Sequence, residues 1–454
     1  MADVTALSPE LIAWIESCAG GRVTMTDRRP GGGRREAWIV DVEAADGATL
    51  SLFLRYDRSD PAKTGDPYTL FREAQFYLAL QESVVPVPRV LGVHETEQAI
   101  LSERVPGETW FSRLTDEDLR LSVASDFMRI LAGLHQLDPA RLQLDEPIPA
   151  DLAEAATREI DKWEGLYRFK DAAPDPMIEF GLDWLRRNIP AATGPIVIVQ
   201  GDTGPGNFLY ADGRVTAVLD WELAHWGDPM EDLGWLALRA VQEPFTVLAD
   251  RLRDYARHTG WDVDLDRVRY YRAFAELRVA ILGHRRTEAV DLRGEVGNGL
   301  IYGELHRRLF CEAMAENLGL PMPEQSRLEA PSTDVAWLYD AMLTQIREIV
   351  VPRSTDPFVI QRAKGMARVL KHLQQVDRYG DAAAAAELAD LRDLLGADLI
   401  SIEAGRAELV KRLADGAISD ADALRYFGRR TSRHTELLRP AMGVLADRHF
   451  DPLD

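Results

Sequence analysis

The most informative part of the chain is the segment 196–222, which reads IVIVQGDTGPGNFLYADGRVTAVLDWE. Its four leading apolar residues predict a short buried strand, and Asp212-Gly213 predicts a tight turn between two further strands. Asp202 and Asn207 are separated by a stretch that contains glycine and proline. Such a loop, bounded by strands, can direct both side chains into one cleft, and the hairpin brings Asp220 to the same region.

These three polar side chains fit the needs of phosphoryl transfer. That reaction uses one carboxylate to orient or deprotonate a hydroxyl acceptor, and an amide oxygen with a second carboxylate to hold Mg²⁺ against nucleotide phosphates. Asp202 fits the first role, whereas Asn207 and Asp220 fit the second. Each residue alone could be a turn former that caps its own backbone, so the prediction depends on their combination.

The sequence before this segment predicts a sheet with few helices. Residues 8–18 have helical spacing behind a Ser8 cap, and period-two patterns follow. The predicted elements are then strands at 23–25, 37–42 and 50–55, a helix at 68–82, and strands at 90–93 and 99–101. After the interruption Val105-Pro106-Gly107, a candidate hinge, most patterns are helical. The chain is therefore predicted to be α+β, with an antiparallel sheet followed by a mainly helical part.

The motifs in this segment also form a known combination. They are Gly201-Asp202 with Asn207, Asp220-Trp221-Glu222, and Gly227-Asp228-Pro229 with Asp232-Leu233. At this spacing, residues 10–320 resemble the aminoglycoside phosphotransferase-like (APH) kinase family, most closely its branch associated with acyl-CoA dehydrogenases. The resemblance implies a bilobal protein-kinase-like fold with ATP and Mg²⁺ as cofactors. It also implies that Asp202 is the catalytic base and that Asn207 and Asp220 bind the metal. Gln200 departs from the family, which usually has His before Gly-Asp.

The resemblance further assigns residues to nucleotide binding in the N-terminal lobe. Gly31–Gly33 match the loop that covers the phosphates, although an ordinary hairpin loop is the alternative. Arg55 takes the place of the lysine that pairs with phosphates, and Glu73 that of its ion-pair partner, with a solvated surface pair as the alternative. The segment Glu103 to Val105 would border the adenine. The predicted nucleotide-binding residues are Gly31, Gly32, Gly33, Arg55, Glu73, Glu103 and Val105.

Other polar residues near the motifs are predicted to be structural. Asp228 and Asp232 flank the start of a helix at Met230, so capping and helix-dipole contacts explain them. His135 lies on a largely apolar helix and is predicted to be a hydrogen-bonded core histidine rather than a metal ligand. For His225 we expect a role in bracing the loop near Asp220.

The chain is predicted to contain three parts. Residues 1–104 form the nucleotide-binding lobe and residues 105–325 the helical lobe that carries catalysis and substrate. A stretch rich in proline and polar residues at 320–332 then leads into a helical accessory domain at 333–454. This tail resembles a helical domain of unknown function that is attached to such kinases. Its apolar helical faces predict either packing on the kinase or a homodimer.

Composition excludes several classes of function. The 454 residues carry 74 Asp and Glu against 53 Lys and Arg, a formal net charge of -21, which opposes binding to nucleic acid or anionic lipid. The longest apolar runs are far shorter than a membrane span, and the N-terminus lacks the pattern of a signal peptide. We therefore expect a cytoplasmic protein with no membrane or nucleic-acid partner.

The predicted function is an ATP-dependent small-molecule kinase that transfers the γ-phosphoryl group to a hydroxyl. The resemblance to the acyl-CoA dehydrogenase-associated branch favours a hydroxyacyl-CoA-type metabolite as the acceptor. An aminoglycoside or macrolide antibiotic is the alternative acceptor. A catalytically degenerate nucleotide-binding or interaction protein is a further alternative, because Gln200, Arg34 and Arg55 depart from the usual family residues.

Overall fold

The computed structural model describes residues 7–29, 35–60, 63, 65–169, 173–288, 295–322 and 328–454. The predicted phosphate loop, Gly31–Gly33, lies outside the described residues. The chain forms two compact units. The first comprises Met1–Ala155, Ala192–Asp264 and Asp451–Asp454, and the second comprises Ala156–Ala191 and Leu265–Phe450.

The N-terminal part of the first unit is a five-stranded antiparallel sheet with the strand order β1-β2-β3-β5-β4. A helix precedes the sheet, and Ser8 caps it as predicted, its Oγ accepting a hydrogen bond from Leu11 N at 3.1 Å. Leu11 and Ile15 of this helix pack with Trp38 and Val40 of the sheet in one buried core. The elements are α1 Pro9–Ala19, β1 Gly21–Arg29, β2 Glu36–Ala44, β3 Thr49–Asp57, α2 Leu70–Leu80, β4 Val90–Val93 and β5 Gln98–Glu103.

The next part of the chain contains two small two-stranded sheets among helices. Strand β7 pairs with β8 across the predicted turn, where Asp212 and Gly213 both have a positive φ, of 48° and 75°. Strand β6 pairs with β9, a three-residue strand that the sequence analysis did not predict. The elements are α3 Glu117–His135, α4 Leu152–Arg168, α5 Pro176–Arg187, β6 Val197–Val199, β7 Phe208–Ala211, β8 Arg214–Val218, β9 His225–Gly227, α6 Pro229–Gln242 and α7 Leu248–Thr259.

From residue 265 onward the regular secondary structure of the described residues is helical, and loops join the helices. Short 3-10 turns stand at Phe111–Arg113, Pro139–Arg141 and Gly443–Asp447, and a π turn at Ile346–Val350. The helices are α8 Leu265–Glu288, α9 Val296–Leu318, α10 Ala336–Gln345, α11 Val351–Arg353, α12 Pro357–Leu395, α13 Ile402–Ala414 and α14 Asp420–Met442.

These elements confirm the predicted α+β class, with its antiparallel N-terminal sheet, its largely helical remainder and its helical C-terminal region. The division into three parts at residues 104, 325 and 333 stays a prediction. Within the described residues, every helix is either too short or too polar to cross a bilayer.

Candidate active site

Asp202 and Asn207 meet at the two ends of the loop between β6 and β7. The Asn207 side chain donates from Nδ2 to the Asp202 carboxylate Oδ2 at 2.6 Å and to the Asp202 backbone oxygen at 2.8 Å. Asn207 N also donates to Gly204 O at 3.1 Å, which closes the loop on itself. Asp202 keeps 23% of its side chain exposed.

Asp220 follows β8 and is brought beside this loop by backbone pairing. Leu219 N donates to Asn207 O at 2.8 Å, so Asp220, the next residue, lies beside Asn207. Asp220 itself has a φ of +63°, a left-handed conformation that costs a non-glycine residue about 1–2 kcal/mol. Its amide donates to Tyr77 Oη at 3.1 Å, a contact that helps to hold this conformation.

Gln200 also stabilises the turn at Asp220. Its side-chain Nε2 donates to Leu219 O at 3.0 Å and to Asp220 O at 2.9 Å. The residue that departs from the family's histidine is thus engaged with the backbone of the predicted metal ligand.

Arg55 and Glu73 form the ion pair that the sequence predicted. Arg55 Nη1 lies 2.9 Å from Glu73 Oε1, and both Nη1 and Nη2 donate to Asp220 Oδ1 at 3.2 Å. A second arginine, Arg35, was not predicted to take part. It is buried, donates to Glu73 Oε2 at 3.1 Å and pairs with Glu222. The two arginines therefore offset part of the negative charge of three carboxylates, those of Glu73, Asp220 and Glu222, whose oxygens lie within 4.8 Å of one another.

Burial and charge give the carboxyl groups different proton affinities. Burial raises the pKa of Asp202 to about 6; Arg239 opposes the rise and the Asp220 charge adds to it. Burial also acts to raise the pKa of Asp220, but Arg55 and Arg35 outweigh it and lower this pKa below its usual value. Burial raises the pKa of Glu73 to about 7 against the effect of both arginines. The Asp202 carboxyl group can thus take a proton near neutral pH, whereas the Asp220 carboxylate is kept ionised. Acid–base catalysis requires such a difference in pKa.

A cavity of about 300 Å³ opens onto this cluster. Its lining includes apolar side chains suited to a flat aromatic base, and also Arg55, Asn207 and Asp220. Among the described residues, Ser102 lines the cavity, but Glu103 and Val105 are not part of its lining. Their contact with adenine stays a prediction. The apolar lining residues are Ala37, Phe53, Pro88, Val90, Ile100 and Leu219.

Asp232 corrects one interpretation made from the sequence, because it does more than support a helix start. Its fully buried carboxylate accepts hydrogen bonds from Gln200 N at 2.9 Å and Gly201 N at 3.0 Å, and from the Thr203 hydroxyl. It therefore holds the backbone that leads into Asp202. Asp228 does cap α6 as predicted, accepting from Met230 N at 2.9 Å.

His135 extends this support into the core. Its Nε2 lies 3.0 Å from Asp232 Oδ2 and its Nδ1 lies 2.7 Å from Tyr255 Oη, so both ring nitrogens are engaged and the predicted core role is confirmed. His225 is also buried, with Nδ1 at 2.9 Å from Leu223 O. The signal for Asp232 in the sequence was a second acidic residue in the first turn of the helix, beyond the position where a cap is needed.

Comparison with known proteins places this geometry in a family. The profile of the phosphotransferase enzyme family matches residues 31–271, more than half of the 454 residues. Curated relatives include acyl-CoA dehydrogenase family member 10 of Mus musculus, 27% identical over 193 residues, which are 40% of this chain and 18% of that protein. Family member 11 of Rattus norvegicus is 26% identical over 179 residues, covering 36% of this chain and 23% of that protein. The chain thus matches less than a quarter of the length of these two relatives.

Solved structures similar to this chain include two that are phosphotransferases by name. The macrolide 2'-phosphotransferase MphH of Brachybacterium faecium is 19% identical, with a TM-score of 0.45, and the match covers 70% of this chain and 100% of that one. A thermostable variant of aminoglycoside phosphotransferase APH(4)-Ia, solved with ADP and hygromycin B, is 17% identical with a TM-score of 0.44, covering 60% of this chain and 91% of that one. The family profile spans strands β2 to β5, including Arg55, and the segment that carries Asp202, Asn207 and Asp220. The resemblance noted from the motifs is confirmed: the chain belongs to the phosphotransferase enzyme family.

Proposed function

We propose that the protein is an ATP-dependent small-molecule kinase that transfers the γ-phosphoryl group to a hydroxyl of a small metabolite. The observation that carries this proposal is that Asn207 and Asp220 line one cavity beside the Arg55–Glu73 ion pair, with Asp202 hydrogen-bonded to Asn207. These are the parts that phosphoryl transfer needs, because its catalysis consists mainly of positioning and charge stabilisation.

Asp202 serves as the acceptor of the hydroxyl proton in this proposal. Its pKa of about 6 leaves the carboxylate mostly ionised at neutral pH, yet basic enough to take a proton. Asn207 holds the carboxylate by its 2.6 Å hydrogen bond and so fixes the direction from which the hydroxyl approaches. Arg55 supplies positive charge for the nucleotide phosphates, and the apolar wall formed by Phe53 and Ile100 suits the adenine.

The residues present fit a magnesium ion. Mg²⁺ prefers carboxylate and amide oxygens, which Asp220 and Asn207 provide, and Glu222 adds a third oxygen donor nearby. When bound, the ion would neutralise negative charge on the nucleotide phosphates. Displacement of the Arg55 guanidinium from Asp220 would accompany this binding, since that arginine now holds the carboxylate oxygen at 3.2 Å.

For the acceptor, we propose a hydroxylated acyl thioester. Support comes from the curated relatives, which are named as acyl-CoA dehydrogenase family members and match this chain over part of their length. Such an acceptor offers a hydroxyl on its acyl chain, which becomes a phosphate ester. An aminoglycoside or macrolide hydroxyl is the competing acceptor.

A coupled assay of ADP release tests this proposal with matched pairs of compounds. Each hydroxyacyl-CoA is compared with the acyl-CoA of the same length that lacks the hydroxyl, and both are compared with aminoglycosides and macrolides. We expect ADP release only with the hydroxylated thioesters, and loss of that activity in Asp202→Asn. Turnover with antibiotics alone would support the competing acceptor. Nucleotide binding with turnover of none of these compounds would favour the degenerate protein.

A further inference from the structure

Arg239, on helix α6, lies against the loop that carries the proposed catalytic residues. Its guanidinium donates twice to Pro205 O, from Nη2 at 2.9 Å and from Nε at 3.2 Å. These bonds place Nη1 at 3.7 Å from Asp202 Oδ2 and Nη2 at 3.5 Å from Asn207 Oδ1. The cation therefore lies close to both the Asp202 carboxylate, proposed to accept the proton, and the Asn207 amide oxygen, which would hold the metal.

Two glycines of the loop make room for this side chain. A Cβ atom at Gly204 would lie 2.7 Å from Arg239 Cβ, and one at Gly206 would collide with Arg239 Nη2. Both glycines also have a positive φ, of 141° and 98°. The two glycines that flank Pro205 thus suit the arginine both by their backbone conformation and by their lack of a side chain.

The contacts of Arg239 differ from those of a structural ion pair. Charge-assisted hydrogen bonds between a guanidinium and a carboxylate are about 2.7–2.9 Å long, whereas Nη1 lies 3.5 Å from Gln242 Oε1 and 3.7 Å from Asp202 Oδ2. The guanidinium makes its short hydrogen bond to a carbonyl oxygen, whereas the Asp202 carboxylate that partly offsets its charge lies 3.7 Å away. The Arg239 side chain keeps 17% exposure.

The other two cations of the site are engaged differently. Arg55 and Arg35 are both in contact with the Glu73 carboxylate, at 2.9 Å and 3.1 Å. Arg55 also pairs with Asp220, on the nucleotide side of the cluster. Arg239 brings positive charge to the Asp202 side, where an acceptor hydroxyl and the γ-phosphoryl group must meet.

We propose that Arg239 contacts the transferred phosphoryl group and stabilises its charge, as an arginine finger supplied by the same chain. This inference rests on the proposed kinase function. In the step, the acceptor oxygen forms a bond to the γ-phosphorus and the bond from that phosphorus to the β–γ bridging oxygen breaks. ADP leaves with the electron pair, and the hydroxyl proton goes to Asp202. The guanidinium faces the equatorial oxygens, over which the transition-state charge is spread.

Nucleotide affinities of the full chain in Mg²⁺, measured by calorimetry with ADP and with AMP-PNP, test this assignment without an acceptor. A contact to the γ-phosphoryl group strengthens binding of AMP-PNP only. Loss of one charge-assisted contact weakens binding by about 10- to 100-fold. We therefore expect Arg239→Met to lose about tenfold or more in affinity for AMP-PNP while its affinity for ADP changes less than about twofold. Arg239→Gln, which keeps a polar side chain next to Pro205, should show the same selective loss if the Met variant does not fold.

Arg253→Met is the matched control, because Arg253 is exposed on α7 and pairs with Asp250, away from the loop. It should bind both nucleotides as the wild type does. Equal weakening for ADP and AMP-PNP, or an unchanged ratio in a folded Arg239 variant, would overturn the role of Arg239. Wild-type protein that binds neither nucleotide would overturn the kinase proposal itself, and the assignment of Arg239 with it.

Discussion

Gln200 Nε2 donates a hydrogen bond of 2.9 Å to the backbone oxygen of Asp220, the residue proposed to bind the metal. The family usually has a histidine at this position, and its replacement raised the possibility of a protein without catalysis. In the structure the amide also reaches Leu219 O at 3.0 Å, so one side chain fixes two consecutive carbonyls of a strained turn. A substitution that removes the familiar residue can therefore keep the support that the turn needs.

Replacing Gln200 by an apolar side chain should loosen this turn. Gln200→Leu removes two donors and leaves buried carbonyl oxygens unpaired, which costs about 1–3 kcal/mol. We expect a lower free energy of unfolding by urea denaturation and weaker Mg²⁺-dependent nucleotide binding. Gln200→His should lose less, because one ring N–H can replace one of the two bonds. Equal stability of the Leu variant and wild type would contradict the bracing role.

Asp202→Asn should abolish most turnover without harming nucleotide binding. The variant keeps the size of the side chain but cannot accept the hydroxyl proton, and loss of a general base lowers the rate by about 10²–10⁴-fold. Turnover with the best hydroxylated acceptor measures the first effect, and calorimetry with ATP the second. Asp212→Asn, in the exposed β7–β8 turn where a left-handed Asn is tolerated, provides the control. Normal turnover in Asp202→Asn would remove this residue from the mechanism.

Arg55 should tolerate lysine better than a neutral residue. Arg55→Lys keeps a cation for Glu73 and for phosphate, but it loses the fork that reaches Asp220 as well. We expect ATP affinity to fall less than about tenfold with Lys and more than about tenfold with Met. Arg22→Met serves as the control, because Arg22 forms an exposed pair with Glu43 and keeps 74% of its side chain exposed. Equal affinities in the Lys and Met variants would contradict a phosphate contact.

The Asp232 carboxyl group should make the free energy of unfolding depend on pH. Burial acts to raise the pKa of this carboxyl, but the hydrogen bonds from His135, Thr203 and Gly201 outweigh it and hold the pKa below its usual value. A depressed pKa stabilises the folded state fully at pH values above the pKa of the unfolded carboxyl group, near 3.9. This stabilisation is lost as the pH falls below about 4.

The variant Asp232→Asn should therefore be less stable than wild type at pH 7 by about 3 kcal/mol, with a smaller difference below about pH 4. Chemical denaturation across this pH range measures the change. Asp228→Asn, on the same helix, should remain close to wild type, because asparagine also caps helices well. A pH-independent difference between Asp232→Asn and wild type would contradict the charged network.

The sheet and the loop residues were predictable because their signals are local. Alternating apolar residues predicted β2 and β3, the Asp212-Gly213 pair predicted the β7–β8 turn, and the spacing of Asp202 and Asn207 predicted one loop. The Arg55–Glu73 contact was predicted through the resemblance, since the two residues are far apart in the sequence. Its geometry in the structure agrees with that prediction.

The remaining parts of the site depend on contacts between distant segments. Asp232 and Arg239 lie on α6 and act on the loop at 200–207, but nothing in the periodicity of that helix shows which neighbour it faces. Arg35 is buried against Glu73, although a basic residue beside a glycine-rich stretch is ordinarily expected to be exposed. Strand β9 has three residues, too few for an alternating pattern to appear. Gly204 and Gly206 were a usable signal, because two glycines around one proline indicate that another group approaches the loop closely.

The most direct test of the kinase site is the melting temperature of the full chain with ATP, with and without Mg²⁺, in wild type and in Asp220→Asn. Ligand that binds the folded state stabilises it by about 2.7 kcal/mol at a concentration of 100 Kd, and asparagine tolerates the left-handed backbone at this position. We predict that Mg²⁺ raises the melting temperature of the ATP-bound wild type and that Asp220→Asn loses this Mg²⁺-dependent part. The absence of any shift in wild type at saturating nucleotide, or an equal Mg²⁺ effect in both proteins, would contradict a magnesium-nucleotide site at Asp220.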